Sequence, residues 1–208
     1  MGQVIKLKRG ELREALLDYA MNAAAEGTIE VMSLRQAARD LGVSSGAVYR
    51  HFADKESLLI EITHGGFLDL KARFQQIRPE NDPSQSLDQT IARMRETVRV
   101  YIGFALEHTA LWHMMFGRVG VACRDEMMQD PETAHYTPFD VVLALLQVFK
   151  KFGVTEEEVT EADLRFCWSA VHGAADLAQS GARIDSEEID QIISDTHIRN
   201  LRALGFKG

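Results

Sequence analysis

The chain has 208 residues, 46% of them hydrophobic and 26% charged, with a formal net charge of −8. That balance excludes a disordered chain and suffices for one large domain, or for a small domain joined to a larger one. No apolar run approaches the roughly 18 residues of a bilayer span, and the opening MGQVIKLKRGELREAL lacks a signal-peptide stretch, so the sequence predicts a soluble, cytoplasmic protein with no membrane partner.

Cys123 and Cys167 are the two cysteines and form no CxxC spacing, which suggests reduced thiols and neither a disulfide framework nor a zinc site. Charge is more informative. Residues 1–55 carry eight Lys/Arg against seven acids, and the rest carry fifteen against twenty-four. A polyanion is therefore tolerated only near the N-terminus, where Lys6, Lys8 and Arg9 stand together.

Apolar periodicity is helical almost throughout. Leu12, Leu16, Tyr19 and Ala23 form one stripe of a helix over about 9–26, stopped by Gly27. Leu34, Ala37, Ala38 and Leu41 repeat the pattern behind Ser33, with Gln36 at capping-box spacing and Gly42 as the stop. A third helix begins near Ser44, with Val48 and Phe52 on one face. A fourth runs from Asp54 toward Phe74, before Pro79 and Pro83.

Longer helices are expected over about 86–107, 138–152, 156–180 and 186–204, with a short one, ALWHMMF, over 110–116. Residues 117–137 read as irregular. Thr155 and the acidic run Glu156, Glu157 and Glu158 read as a capped, dipole-complementing helix start. No convincing strand and no internal repeat is present. The expected fold is all-α, with an N-terminal three-helix domain over residues 1–65 and a larger helical domain over 66–208.

The stretch SLRQAARDLGVSSGAVYRHFADKESLL, residues 33–59, carries a mechanism. A capped helix, the turn Gly42-Val43-Ser44 and a second short helix make a helix-turn-helix, whose second helix can enter the major groove of DNA. Val48 and Phe52 point inward, while Ser45 with Tyr49 and Gly46 with Arg50 form the opposite side. Arg50 can pair with guanine O6 and N7, whereas Ser and Tyr hydroxyls suit phosphates. Lys55 adds a clue, because a cation at the first position of a helix opposes the macrodipole. A phosphate docked there reconciles the conflict, and simple solvation of the ammonium is the alternative. Ser33, besides capping its own helix, also sits near the backbone of any bound duplex.

These motifs, VSSGAVYRHFADKESLL with the preceding SLRQAARDLG, resemble the DNA-binding domain of the TetR family of transcriptional regulators over residues 9–65. The resemblance implies DNA contacts from Ser33, Ser44, Ser45, Gly46, Tyr49, Arg50, His51 and Lys55. Tyr49, His51 and Lys55 match phosphate-binding positions, and Arg50 a position that varies with the operator. Residues 168–177, WSAVHGAADL, resemble the Trp-x-x-x-His-Gly signature of one class of TetR C-terminal domain. That likeness implies a homodimer through the last two long helices, residues 156–204, and a cavity for a small-molecule effector.

Tyr101, Phe104, His108, Trp112, Met115 and Phe116 cluster within sixteen positions, with Phe139 from the next long helix and Trp168 and His172 at i, i+4. These nine residues are the candidate effector lining. Such a set equally describes a packed core, with Trp168 and His172 as packed aromatic and satisfied histidine rather than metal ligands.

No HExxH, GxSxG, GxGxxG or Walker loop appears, so neither a catalytic residue, a cofactor nor a metal is expected. The sequence thus predicts a ligand-responsive regulator, a repressor released from a palindromic operator by its effector. A helical small-molecule binding protein or enzyme, whose N-terminal unit contacts proteins, is the competing reading.

Overall fold

The computed structural model describes residues 10–77, 86–129, 160–180 and 185–206, and positions 143, 147, 149, 152 and 153. Among these residues every regular element is helical: α1 Leu12–Ala25, α2 Leu34–Asp40, α3 Ser45–Tyr49, α4 Lys55–Ile77, α5 Leu87–Glu107, α6 Thr109–Phe116, α7 Arg118–Gln129, α8 Glu161–Gln179 and α9 Ser186–Ala203. The all-α expectation holds. The helix expected over 138–152 lies outside the described residues apart from isolated positions, as does the run Thr155 to Glu158.

Local chemistry sets the helix ends. α1 closes on Gly27 at φ +71°, where the Thr28 N–H reaches the Ala23 carbonyl at 2.8 Å. α2 closes likewise on Gly42 at φ +69°, with Val43 N–H on Ala38 O at 2.9 Å. Both are left-handed stops that a side chain resists. The Ser33 hydroxyl caps α2 by accepting from Gln36 N at 3.2 Å. The reciprocal half of the expected capping box is missing, because the Gln36 side chain turns to Asp40 at 2.7 Å instead.

The chain forms two compact units, one comprising Met1–Phe67 with Thr109–Pro131 and the other Leu68–His108 with Glu132–Gly208. A division into two consecutive stretches does not provide for the return of 109–131 to the first unit. That return is built into its core: Met114 of α6 is buried with Leu16, Ala20, Ala37, Val48, Phe52, Leu58 and Ile62.

Residues 118–129, read as irregular from sequence, are the helix α7. Gly117 and Gly120 suppress the helical signal there, since glycine disfavours a helix interior. The structure uses Gly120 for close approach: a Cβ added to it would lie 1.7 Å from the Met115 carbonyl oxygen.

In the second unit, one face of α5 buries Met94, Val98, Tyr101, Ile102 and Ala105. α5 packs against α8 and α9, which also pack on each other. α8 starts later than residue 156, because Thr160 is extended (φ −102°, ψ 166°) and caps it in a box with Asp163. The Thr160 N–H and hydroxyl hold the Asp163 carboxyl below its usual range. On α9, His197 and Asn200 are buried polar residues, and His197 Nδ1 has no hydrogen-bond partner among the described residues. Burial, reinforced by Arg95, pushes the imidazole pKa down to about 4.

Two outcomes follow from this packing. Gly120→Ala drives a methyl into backbone and should destabilise the protein by about 2 kcal/mol or more, measured by denaturant unfolding. Because His197 titrates lower when folded than its ordinary 6.5, the unfolded chain takes up the extra proton. Its stability contribution is complete above pH 6.5 and is lost as the pH falls toward 4, amounting to roughly 3 kcal/mol. The acid destabilisation of His197→Leu should therefore be shallower than that of the parent over that window. Parallel curves would show that His197 does not carry it.

Candidate nucleic-acid interface and aromatic cluster

α3 has a buried side and an exposed side. Val48 is 0% and Phe52 3% exposed, seated in the first unit's core. Ser45, Gly46, Tyr49, Arg50 and His51 are all exposed or half-exposed, Tyr49 at 44%. The structure thus places the predicted α3 residues on solvent. α3 begins where expected, with Ser44 as N-cap, and ends on Arg50 as C-cap.

Two serines share one chemistry. Ser44 Oγ accepts from Ala47 N at 3.2 Å and Ser33 Oγ from Gln36 N at 3.2 Å. Each hydroxyl spends a lone pair on its helix and keeps its proton as a donor, the atom that a phosphate oxygen needs. Both of these hydrogen bonds lie at the surface.

Lys55 stands differently from its sequence rationale. Its ammonium binds the backbone carbonyls of Ile29 and Glu30, the latter at 2.9 Å. The cation at the start of α4 is therefore accounted for without a phosphate, because it ties α4 to the turn before α2. An ammonium has three donors, so one remains for another acceptor. Asp54 caps the same helix by accepting from Ser57 N at 2.7 Å.

One network has no counterpart among the sequence expectations. Asp40 accepts from the Tyr19 hydroxyl at 2.6 Å and from Gln36 Nε2 at 2.7 Å, while Gln36 Oε1 accepts from Arg39. The Asp40 carboxylate pushes the Tyr19 phenol up to about 12. Tyr19, a core residue by its period, thus anchors the polar surface of α2. The i, i+3 and i, i+4 spacings of Gln36, Arg39 and Asp40 are the available signal.

The nine aromatic-cluster candidates divide between the units. Trp112, Met115 and Phe116 belong to the first, with Trp112 and Met115 fully buried and the Trp112 and Phe116 rings 4.4 Å apart. Phe139 lies outside the described residues. Tyr101, Phe104, His108, Trp168 and His172 belong to the second.

There the Trp168 indole N–H donates to the Tyr101 hydroxyl at 2.9 Å, and that hydroxyl lies 3.0 Å from His172 Nδ1. An indole only donates, so the Tyr101 oxygen accepts from Trp168. Burial lowers the His172 pKa and Asp176 opposes the shift. His172 thus has a polar partner in the Tyr101 hydroxyl. Trp168 is packed yet 36% exposed, so it is not a core residue of the single chain. His108 packs its ring on Phe104, centroids 4.8 Å apart, and accepts from Arg73, 3.1 Å away. Among the described residues no set of His, Cys, Asp or Glu could hold a metal ion.

α8 and α9 leave Phe166 (54%), Leu177 (63%) and Ile198 (40%) exposed alongside Trp168. The small residues Ala170, Gly173, Ala174 and Ala178 run along α8. No described helix is long and apolar enough to cross a membrane.

Known proteins match both regions. The family described as bacterial regulatory proteins, tetR family, matches residues 16–62, and that described as tetracyclin repressor-like, C-terminal domain, matches residues 94–196. The HTH-type transcriptional repressor KstR2 of Mycobacterium tuberculosis is 40% identical over 77 residues, 36% of each chain. The chain spans less than half the length of the curated relatives it matches. A Rhodococcus protein of unknown function shares the fold over 97% of this chain and 99% of its own, at TM-score 0.72 and 24% identity. The solved SmeT–triclosan complex aligns over 92% of this chain and 90% of its own, at TM-score 0.65 and 18% identity. With an N-terminal and a C-terminal match in the order of the two expected domains, the chain belongs to the TetR family of bacterial regulatory proteins.

Proposed function

We propose that the protein is a ligand-responsive, DNA-binding transcriptional regulator of the cytoplasm, a repressor released from a palindromic operator by a small molecule, and not an enzyme. The observation that carries this reading is α3: its apolar side is locked into a core while hydroxyls, a phenol and a guanidinium stand in solvent. In this reading Arg50 faces base edges. Ser33, Ser44, Ser45, Tyr49, His51 and the spare Lys55 donor face phosphates, and Gly46 lets backbone approach the duplex. The name of KstR2 as a repressor supports the sign of the response.

A homodimer through α8 and α9 is part of the proposal, supported by their exposed Phe166, Trp168, Leu177 and Ile198. Two subunits would set their α3 helices one helical turn apart, about 34–36 Å, to match successive major grooves. Residues 1–65 serve DNA and 66–208 serve effector and dimer. The Tyr101, Trp168 and His172 junction supplies the polar end of the effector region, with Phe104 and His108 of the same unit as its further lining. Triclosan, the partner of SmeT in its complex, is consistent with a small effector on this fold. The effector acts only by binding the DNA-competent and DNA-incompetent dimers unequally.

Gel filtration with a mobility shift on DNA selected from random sequence tests the reading, which fails if the purified protein retains no duplex or binds it as a monomer. Arg50→Ala should relax base preference at a cost of about 1–3 kcal/mol, seen as a flattened selection profile. Lys55→Ala should weaken all sequences alike and lower the slope of log K against log salt by about 0.9. Since that ammonium also holds the Ile29 and Glu30 carbonyls, its melting temperature should fall too. A fall in melting temperature with an unchanged salt slope would restrict Lys55 to the fold.

A further inference from the structure

We infer that the groove between the second half of α4 and α5 is a binding site for a small cation on an apolar body, an ammonium or an amidinium. The site goes beyond the regulator reading, whose effector lining it meets at Phe104. Arg73 and Ile77 line it from α4, and Glu96, Val100, Gly103 and Glu107 from α5, around about 420 Å³. That volume suits a small ligand.

The helix period makes the groove. Glu96, Val100, Gly103 and Glu107 recur at i, i+4, i+7 and i+11 along one stripe of α5, separate from the buried stripe that holds Tyr101. In the middle of that stripe Gly103 leaves room, since a Cβ added to it meets nothing within 4 Å. Ile77 and Val100 supply the apolar wall.

Hydrogen-bond supply sets the ligand's sign. The Arg73 guanidinium is already committed: it donates to Glu107 at 2.6 Å, to Asp69 at 3.2 Å and to His108 at 3.1 Å, and it lies 5.2 Å from the centre of the Phe104 ring. An anion would have to displace these partners. The acceptors are not spent. Glu96 meets Arg99 only at 3.7 Å, beyond hydrogen-bond reach, and accepts no side-chain hydrogen bond from a described residue. Glu107 gives one oxygen to Arg73 and has the other 3.5 Å from His108. Surplus carboxylate oxygen beside an apolar wall calls for a guest that brings donors and positive charge.

The full-length protein titrated with benzamidinium, against benzamide and benzoate as neutral and anionic matches, tests this through the amide resonances of Val100 and Gly103. Benzamidinium should shift them saturably with Kd near about 1 mM, weakening with salt, and both controls should bind at least about tenfold more weakly. Gly103→Leu, which fills the groove from an open position, should weaken benzamidinium at least tenfold, and Gly103→Ala should keep it. Glu96→Gln, at an exposed carboxylate, should weaken it several-fold and serves if the leucine variant does not fold. Benzoate binding as well as benzamidinium, no saturation, or indifference to both Gly103→Leu and Glu96→Gln would overturn the site. DNA binding is read separately, so either outcome leaves the regulator proposal standing or falling by its own test.

Discussion

The five residues of α3 cannot form a stable helix alone, because nucleation costs more than so few hydrogen bonds return. What holds α3 is burial. Val48 and Phe52 insert into a core assembled from α1, α2, the start of α4 and Met114 of α6, while Ser44 caps its first turn. The side that faces solvent is thereby fixed in orientation with no side-chain contribution of its own. Polar residues there carry no packing constraint, and the apolar ones do.

The same division governs the electrostatics. Where a charge must be placed, the structure ties it: Lys55 to two carbonyls, Arg39 to Gln36 and through it to Asp40, Arg73 to Asp69, Glu107 and His108. Exposed pairs of this kind add little stability because water competes for both partners. Their effect is to limit rotamers, which lowers the ordering cost when a partner arrives. The exposed Arg50 side chain takes part in no ion pair or hydrogen bond among the described residues.

Much of the region around α3 is legible in the sequence because its signals are local. Ser33 and Ser44 as caps, Gly27 and Gly42 as stops, and the Val48 and Phe52 spacing each involve residues within a few positions of one another. Lys55 stands out for a sound reason, a cation where the dipole repels it, but its partners are carbonyls about twenty-five residues earlier, beyond any local rule. α7 is hidden because Gly120 reads as a helix breaker unless Met115 is known to press against it. The start of α8 reads too early, since an acidic run and the Thr160 box offer the same dipole logic at two places.

By itself the sequence determined the helical class, most helix ends and the inward and outward sides of α3, because helix period and capping chemistry act over a handful of residues. Only the tertiary structure decided that α6 and α7 join the first unit's core and that Tyr101 takes Trp168 and His172 as partners. It alone also tied Tyr19 to Asp40. These contacts join residues from about twenty to about a hundred positions apart, and an apolar or aromatic side chain carries no mark of which distant surface will bury it.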